Sequence, residues 1–216
     1  MTPTLVVFDL DGTLVDSKRD LADAANALIV ERGGTPLPVD RIAAMVGEGA
    51  ALLVRRALAA AGLDPESPDA LARFLRLYDE RLLAHTRLYD GIAEAVDALA
   101  ARTELAVLTN KPSAATERIL SGLGLRRRFR DVLGGDTPFG RKPDPAGLRE
   151  LMARAGTTAE ATWLVGDSRV DLRTARNAGT NICLARYGFG YRIDPADLDG
   201  SEMIVDTPAD LERLGQ

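Results

Sequence analysis

Five short apolar runs, at 5–8, 105–108, 132–133, 163–165 and 181–184, each end in glycine or polar residues. From residue 92 onward they alternate with stretches of helical spacing. Val-, Leu- and Ile-rich runs without polar alternation suit strands covered on both faces of a parallel sheet. The intervening stripes are Ile92/Val96/Leu99, Ile119/Leu120/Leu123 and Leu148/Leu151/Met152, one apolar face per helix. This order predicts right-handed βαβ units and an α/β fold with a doubly wound, mostly parallel sheet.

The stretch from 15 to 88 departs from that rhythm. Leu21/Ala24/Leu28/Ile29, Ile42/Met45/Val46/Leu52/Leu53 and Leu71/Phe74/Leu75/Tyr78 read as successive helical faces with no strand between them. Pro36, Pro38 and the segment 62–68 supply the breaks. A stretch of that length is too long for a connecting loop. Residues 15–88 are therefore expected to form a helical domain inserted into an α/β core of residues 1–14 and 89–216. Asp90-Gly91 would be the turn by which the chain re-enters that core.

Composition narrows the class. With 46% apolar and 27% charged among 216 residues, the chain can bury a core. A net charge of −5 argues against a nucleic-acid-binding face. No run approaches the ~20 apolar residues of a membrane span, and the run at 5–8 is too short, and lacks a preceding basic residue, for a signal peptide. The single cysteine, Cys183, permits neither an internal disulfide nor a cysteine-based metal cluster. A cytoplasmic protein, monomer or homodimer, with no nucleic-acid or membrane partner is expected. Lysine and arginine total 27, yet lysine occupies only positions 18, 111 and 142. Where arginine is so strongly preferred, a retained lysine marks a site wanting a compact ammonium; for Lys18 chance suffices.

The chemistry-bearing residues cluster just after the apolar runs. Asp9-Leu10-Asp11-Gly12-Thr13 follows the first, and open α/β sheets bind ligands in the crevice beyond their strand ends. An EF-hand does not fit: Leu14 and Asp20 stand where its glycine and bidentate glutamate belong. A turn whose acids merely face water is the other reading. Gly166-Asp167-Ser168-Arg169-Val170-Asp171 follows a later run, and a parallel sheet would bring Asp167 to Asp9 and Asp11. Like charges ~4 Å apart repel by about 4 kcal/mol per pair at a surface-like dielectric, so converging carboxylates need protons or a cation. Oxygen ligands with no His or Cys nearby point to Mg²⁺. Asp171 is open between this role and a helix N-cap. Thr109-Asn110-Lys111-Pro112 follows the second run, and Lys142, after the third, leads into a helix. A hydroxyl, an amide and an ammonium suit a phosphoryl group, although no P-loop sequence is present.

In order and spacing, Asp9-Leu10-Asp11-Gly12-Thr13, Thr109, Lys142 and Gly166-Asp167…Asp171 resemble the four motifs of haloacid dehalogenase-superfamily phosphohydrolases, over essentially the whole chain. The insertion resembles that family's mobile cap. Thr109-Asn110-Lys111-Pro112, Val46-Gly47-Glu48-Gly49 and Tyr187-Gly188-Phe189-Gly190 are similar to segments of phosphoglycolate phosphatases. The resemblance implies Asp9 as nucleophile, Asp11 as acid and then base, and Mg²⁺ held by Asp9, Asp167 and the Asp11 carbonyl. It also implies that Thr109, Asn110 and Lys142 hold phosphoryl oxygens, with Asp171 and Ser168 supporting. The second aspartate, Asp11, favours phosphate esters, since relatives that cleave halides or phosphonates lack it.

A closing cap favours a small phosphorylated metabolite over a protein substrate. Gly49 lies in a break that is open between a loop facing the ligand and an ordinary helix–helix connection. Lys111 is a candidate for a phosphate or a substrate carboxylate. Arg55 and Arg56 read more simply as solvated, His85 as structural, and Trp163 and Cys183 as core. The segment 187–191 is open between an entrance loop and a plain turn. The expected activity is Mg²⁺-dependent hydrolysis of a small phosphomonoester, 2-phosphoglycolate first. Rivals are another sugar or nucleotide phosphate, pyrophosphate, a phosphomutase, or a non-catalytic phospho-ligand module.

Overall fold

The computed structural model describes residues 3–215. After β1 (Leu5–Phe8) come β2 (Val15–Asp16), α1 (Lys18–Glu31), α2 (Val39–Ala43), α3 (Ala50–Ala60), α4 (Ala70–Asp79) and β3 (Arg87–Leu88). Then follow α5 (Ile92–Ala100), β4 (Glu104–Leu108), α6 (Ser113–Gly122), β5 (Asp131–Leu133) and α7 (Ala146–Ala155). The chain ends with β6 (Thr162–Gly166), α8 (Arg169–Ala178), β7 (Asn181–Ala185) and β8 (Met203–Val205). Six strands form one sheet in the order β5-β4-β1-β6-β7-β8, and every pair is parallel. Among the described residues no helix is long and apolar enough to cross a membrane.

β1 is central because all four of its side chains are apolar and buried. Alternation along the strand divides them. Val6 and Phe8 join the apolar cluster containing α5, α6 and the inserted helices, while Leu5 and Val7 join that of α7 and α8. Phe8 meets Phe129 edge-on, with ring centroids 6.1 Å apart. The chain winds outward from β1 through β4 to β5, then crosses to β6 and winds the other way. The strand ends beside β1 therefore form the crevice at which such sheets place ligands.

The structure corrects the reading of 15–88 as strandless. β2 and β3 pair antiparallel, Val15 with Leu88 and Asp16 with Arg87, and bracket the four helices. Two residues are too few for periodicity to register. β8 was likewise not anticipated, although Met203-Ile204-Val205 between polar neighbours is the kind of run that signals a strand. The apolar stripe from Ile42 to Leu53 divides into α2 and α3, separated at Gly47 and Gly49, both of which have positive φ. α7 begins at Ala146, so Lys142 lies in the loop before that helix.

Asp20, at the start of α1, is fully buried and receives the return of the insertion. It accepts the backbone N–H of His85 at 3.0 Å, and the N–H and Oγ1 hydroxyl of Thr86 at 2.8 and 2.7 Å. His85 itself is exposed. Removing the carboxylate would strand three donors next to β3, each buried donor costing about 1–3 kcal/mol if left unpaired. Asp20→Ala is expected to lower stability by roughly 3 kcal/mol, read as a lowered urea midpoint. Asp20→Asn, which keeps an acceptor, should lose clearly less.

Candidate active site

Parallel register assembles the site. Phe8 pairs with Val107 of β4 and Val165 of β6, so the next residues along the three strands bring Asp9, Thr109 and Asp167 to one edge. The Asp9 N–H donates to the Val165 carbonyl at 2.9 Å, extending the ladder to the nucleophile candidate itself. The loop after β5 brings Lys142, and the loop after β7 brings Gly188 and Gly190.

Asp9, Asp167 and Asp171 are all buried, each offering an oxygen within 4.8 Å of the others. Lys142 sits among them, its Nζ 2.9 Å from Asp9 Oδ1 and 2.6 Å from Asp171 Oδ1. Asp171 Oδ2 accepts from the Ser168 N–H at 3.1 Å and from its hydroxyl at 2.6 Å. The open choice at Asp171 thus resolves into both roles. Ser168 is the N-cap of α8, Asp171 completes its capping box, and the second oxygen of Asp171 anchors Lys142. Asp9 Oδ1 also takes the Leu10 N–H at 2.7 Å, which leaves Oδ2 as the oxygen without a partner. Asp167 Oδ2 accepts the Gly190 N–H at 2.7 Å.

Burial pushes the Asp9 carboxyl up to about 6, against the pull of Lys142 and with the push of Asp171. Asp167 rises well above the usual carboxylate range for the same first reason, reinforced by Asp171 and Asp9. Burial works against the Lys142 ammonium, yet Asp171 and Asp9 hold it above the ordinary lysine value. Three carboxylates against one ammonium leave an excess of negative charge in a dry crevice. Among the described residues no protein donor occupies Asp9 Oδ2 or Asp167 Oδ1. This donor set fits a hard divalent cation.

Asp11 lies beside the cluster rather than in it. Its carboxylate accepts from Lys111 Nζ at 2.9 and 3.0 Å and from the Ser17 hydroxyl at 2.5 Å. Thr109 lines the crevice, and its Oγ1 accepts the Lys111 N–H at 3.3 Å. The Asn110 side chain is a correction. Its Nδ2 donates to the carbonyls of Gly47 and Lys142, both at 3.0 Å, so its amide hydrogens are not available to a phosphoryl group. Instead it ties the turn between α2 and α3 to the Lys142 loop. Among the described residues its backbone N–H makes no hydrogen bond, which leaves that donor to a ligand.

A cavity of about 520 Å³ opens from Asp9, Asp11, Thr109 and Lys111 toward the insertion. Gly47, Gly49, Leu53, Phe74 and Tyr78 line it on the side of the insertion. Arg55 and Arg56 pair with Glu66 and Glu48 at the surface and do not line it. Lys18 pairs with Asp16 and is partly exposed; Cys183 is a buried free thiol.

Sequence reasoning left the segment 187–191 open and did not single out Tyr78 or Ser17 for the site. A Cβ on Gly188 would stand 2.3 Å from the Asp167 Cβ, and one on Gly12 would stand 1.9 Å from Asp167 Oδ2. The two glycines let backbone close around this one carboxylate, and the Tyr187 hydroxyl fastens the loop to the Thr13 carbonyl at 3.0 Å. The repeated glycines were the available signal; nothing local connects them to Asp167.

Because the Asp9 carboxyl lies higher in the folded chain than its ordinary 3.8, its contribution to stability is full below that value and is lost as pH rises through about 6. In EDTA, thermal melts are expected to weaken from pH 4.5 to 7.5 on this account. A millimolar divalent cation should restore the melting temperature more at pH 7.5 than at 4.5.

Residues 6–185 match the family profile of haloacid dehalogenase-like hydrolases. The phosphoglycolate phosphatase of Rhodospirillum rubrum is 43% identical, with 97% of this chain and 89% of that protein aligned. A plasmid-borne phosphoglycolate phosphatase of Cupriavidus necator is 38% identical over 98% of this chain and 92% of its own length. The crystal structure of a predicted phosphoglycolate phosphatase from Haemophilus somnus 129PT superposes with a TM-score of 0.91 at 32% identity, covering 100% of this chain and 99% of that one. With the crevice, its acids and its lysine in the positions described, the chain belongs to the haloacid dehalogenase-like hydrolases.

Proposed function

We propose that the protein is a Mg²⁺-dependent phosphatase that hydrolyses 2-phosphoglycolate to glycolate and phosphate through an aspartyl-phosphate on Asp9. The observation that carries this reading is the asymmetry of the Asp9 carboxylate. Oδ1 is held by Leu10 and Lys142, and Oδ2 is without a partner at the floor of the cavity. The named relatives at 43% and 38% identity support 2-phosphoglycolate as the substrate.

In this mechanism the Asp9 carboxylate attacks phosphorus and the bond to the ester oxygen breaks. Asp11, oriented by Ser17 and Lys111, gives its proton to the departing alkoxide. Asp11 then takes a proton from water, whose oxygen attacks phosphorus and releases phosphate and the Asp9 carboxylate. Lys142 and the Thr109 hydroxyl, with the backbone N–H of Asn110, hold the phosphoryl oxygens. Asp9, Asp167 and the Asp11 carbonyl would hold Mg²⁺, which when bound would supply the positive charge that lets a phosphate dianion approach carboxylates. Asp171 and Ser168 keep Lys142 and α8 in place.

Residues 15–88 act as a cap over a core of 1–14 and 89–216, with β2 and β3 as the two connections. Closure would bring the Gly47–Gly49 turn and α4 down on the substrate and exclude water. The protein acts on a small metabolite in the cytoplasm. One observation favours a second reading: a 520 Å³ cavity walled by Leu53, Phe74 and Leu75 has room for a leaving group larger than glycolate.

Phosphate release measured over a panel of phosphomonoesters, with and without Mg²⁺, tests both. Phosphoglycolate is expected to lead the panel and EDTA to abolish turnover; preference for a bulkier ester would favour the second reading. Asp9→Asn should reduce turnover by at least about 10⁴-fold, as loss of a covalent nucleophile does, while circular dichroism stays native. Retained activity in that variant would remove the aspartyl-phosphate.

A further inference from the structure

We propose that Lys111 and the Tyr78 hydroxyl form a subsite for a carboxylate on the leaving group, making the enzyme selective for phosphomonoesters with an anionic group next to the ester oxygen. This rests on the phosphatase reading and adds the residues that select the substrate.

Lys111 is buried deep in the crevice, its side chain only 4% exposed. Its Nζ pairs with both oxygens of Asp11, and it also lies 4.5 Å from the centroid of the Tyr78 ring. An ammonium carries three donors: two are engaged by Asp11, and the third faces the Tyr78 hydroxyl oxygen. Tyr78 comes from α4, on the opposite wall of the same cavity, and is held by stacking on Phe74 with centroids 6.0 Å apart. Its hydroxyl is buried, and among the described residues no acceptor takes its proton. A buried hydroxyl whose proton has no acceptor is rare and asks for a ligand. The charge of the ammonium and the phenolic O–H beside it are together what a carboxylate accepts.

The position relative to the reacting atoms agrees. Asp11 serves the ester oxygen, and Lys111 is bonded to Asp11. A leaving group whose ester oxygen meets Asp11 therefore presents its next substituents to Lys111. In glycolate the carboxylate is attached to the carbon that bears that oxygen. The arginines of the insertion offer no equal site. Arg55 and Arg56 are paired off away from the cavity, and Arg76 lines it but is exposed at the rim.

The subsite is tested by the ratio of kcat/KM for 2-phosphoglycolate to that for 2-hydroxyethyl phosphate, which replaces the carboxylate by an uncharged alcohol. Any damage that a Lys111 variant does through Asp11 affects both esters and cancels in the ratio. Lys111→Met is expected to lower the ratio by about a hundredfold, the scale of a lost charge-assisted contact in a dry site. Tyr78→Phe, which removes one oxygen and keeps the ring, should lower it by about fivefold, the scale of one hydrogen bond. It stands in if the first variant does not fold. A ratio unchanged in both variants, or in Tyr78→Phe alone when Lys111→Met does not fold, would overturn the subsite. A wild-type enzyme that turns over both esters equally would overturn it too, while leaving the phosphatase reading intact. A wild-type enzyme that releases phosphate from neither ester nor any other member of the panel would instead remove the phosphatase reading.

Discussion

Three buried carboxylates converge on one ammonium, and much of the molecule is arranged so that they can. Asp9, Asp167 and Asp171 come from the ends of two adjacent strands and the first turn of a helix, and Lys142 is delivered to them by a loop. Desolvated like charges repel strongly, so such a gathering persists only when the backbone holds it rigidly and a cation joins it. The surroundings supply that rigidity. β1 is paired on both sides, α8 begins with a closed capping box, and Gly12, Gly188 and Gly190 let backbone close around Asp167. The positive charge that the cluster lacks is what a phosphoryl-transfer site uses on its substrate as well.

The insertion enters this arrangement through a few contacts. Asp20 pins its return strand to α1, and Asn110 bonds at once to Gly47 in the insertion and to the Lys142 carbonyl in the core. Tyr78 lies against Lys111 from across the cavity. The walls between these contacts are largely apolar. In the proposed reaction, recognition and chemistry would divide between two surfaces: the strand ends would hold the reacting groups, and the helices of the insertion would face the part of the substrate that leaves.

The five long apolar runs were legible as strands, because a strand covered on both faces needs a continuous apolar sequence. The four aspartates, Thr109 and Lys142 were legible as a set, because each directly follows such a run or the turn after it. Lys111 stood out as one of three lysines among many arginines and by its place beside Asn110 after the second run. The two-residue strands β2 and β3 were not legible, since a pairing so short leaves no period. Nor was the true use of Asn110: sequence shows an amide beside a hydroxyl, and only the neighbouring carbonyls show where its hydrogens go. Gly188 and Gly190 stay open between an entrance loop and a plain turn in the sequence, because the carboxylate that requires them lies twenty residues or so earlier along the chain.

Local pattern, then, was enough to specify a parallel sheet, an inserted helical segment and a group of acids at the strand ends, since burial on two faces and charge placement are written residue by residue. Which oxygen of Asp9 is free, that Asp171 supports a lysine as well as a helix, and that the Tyr78 hydroxyl stands opposite Lys111 with no acceptor for its proton among the described residues were decided only by the folded chain. Those facts depend on distances between segments far apart in sequence, and such distances exist only once the sheet has brought the segments together.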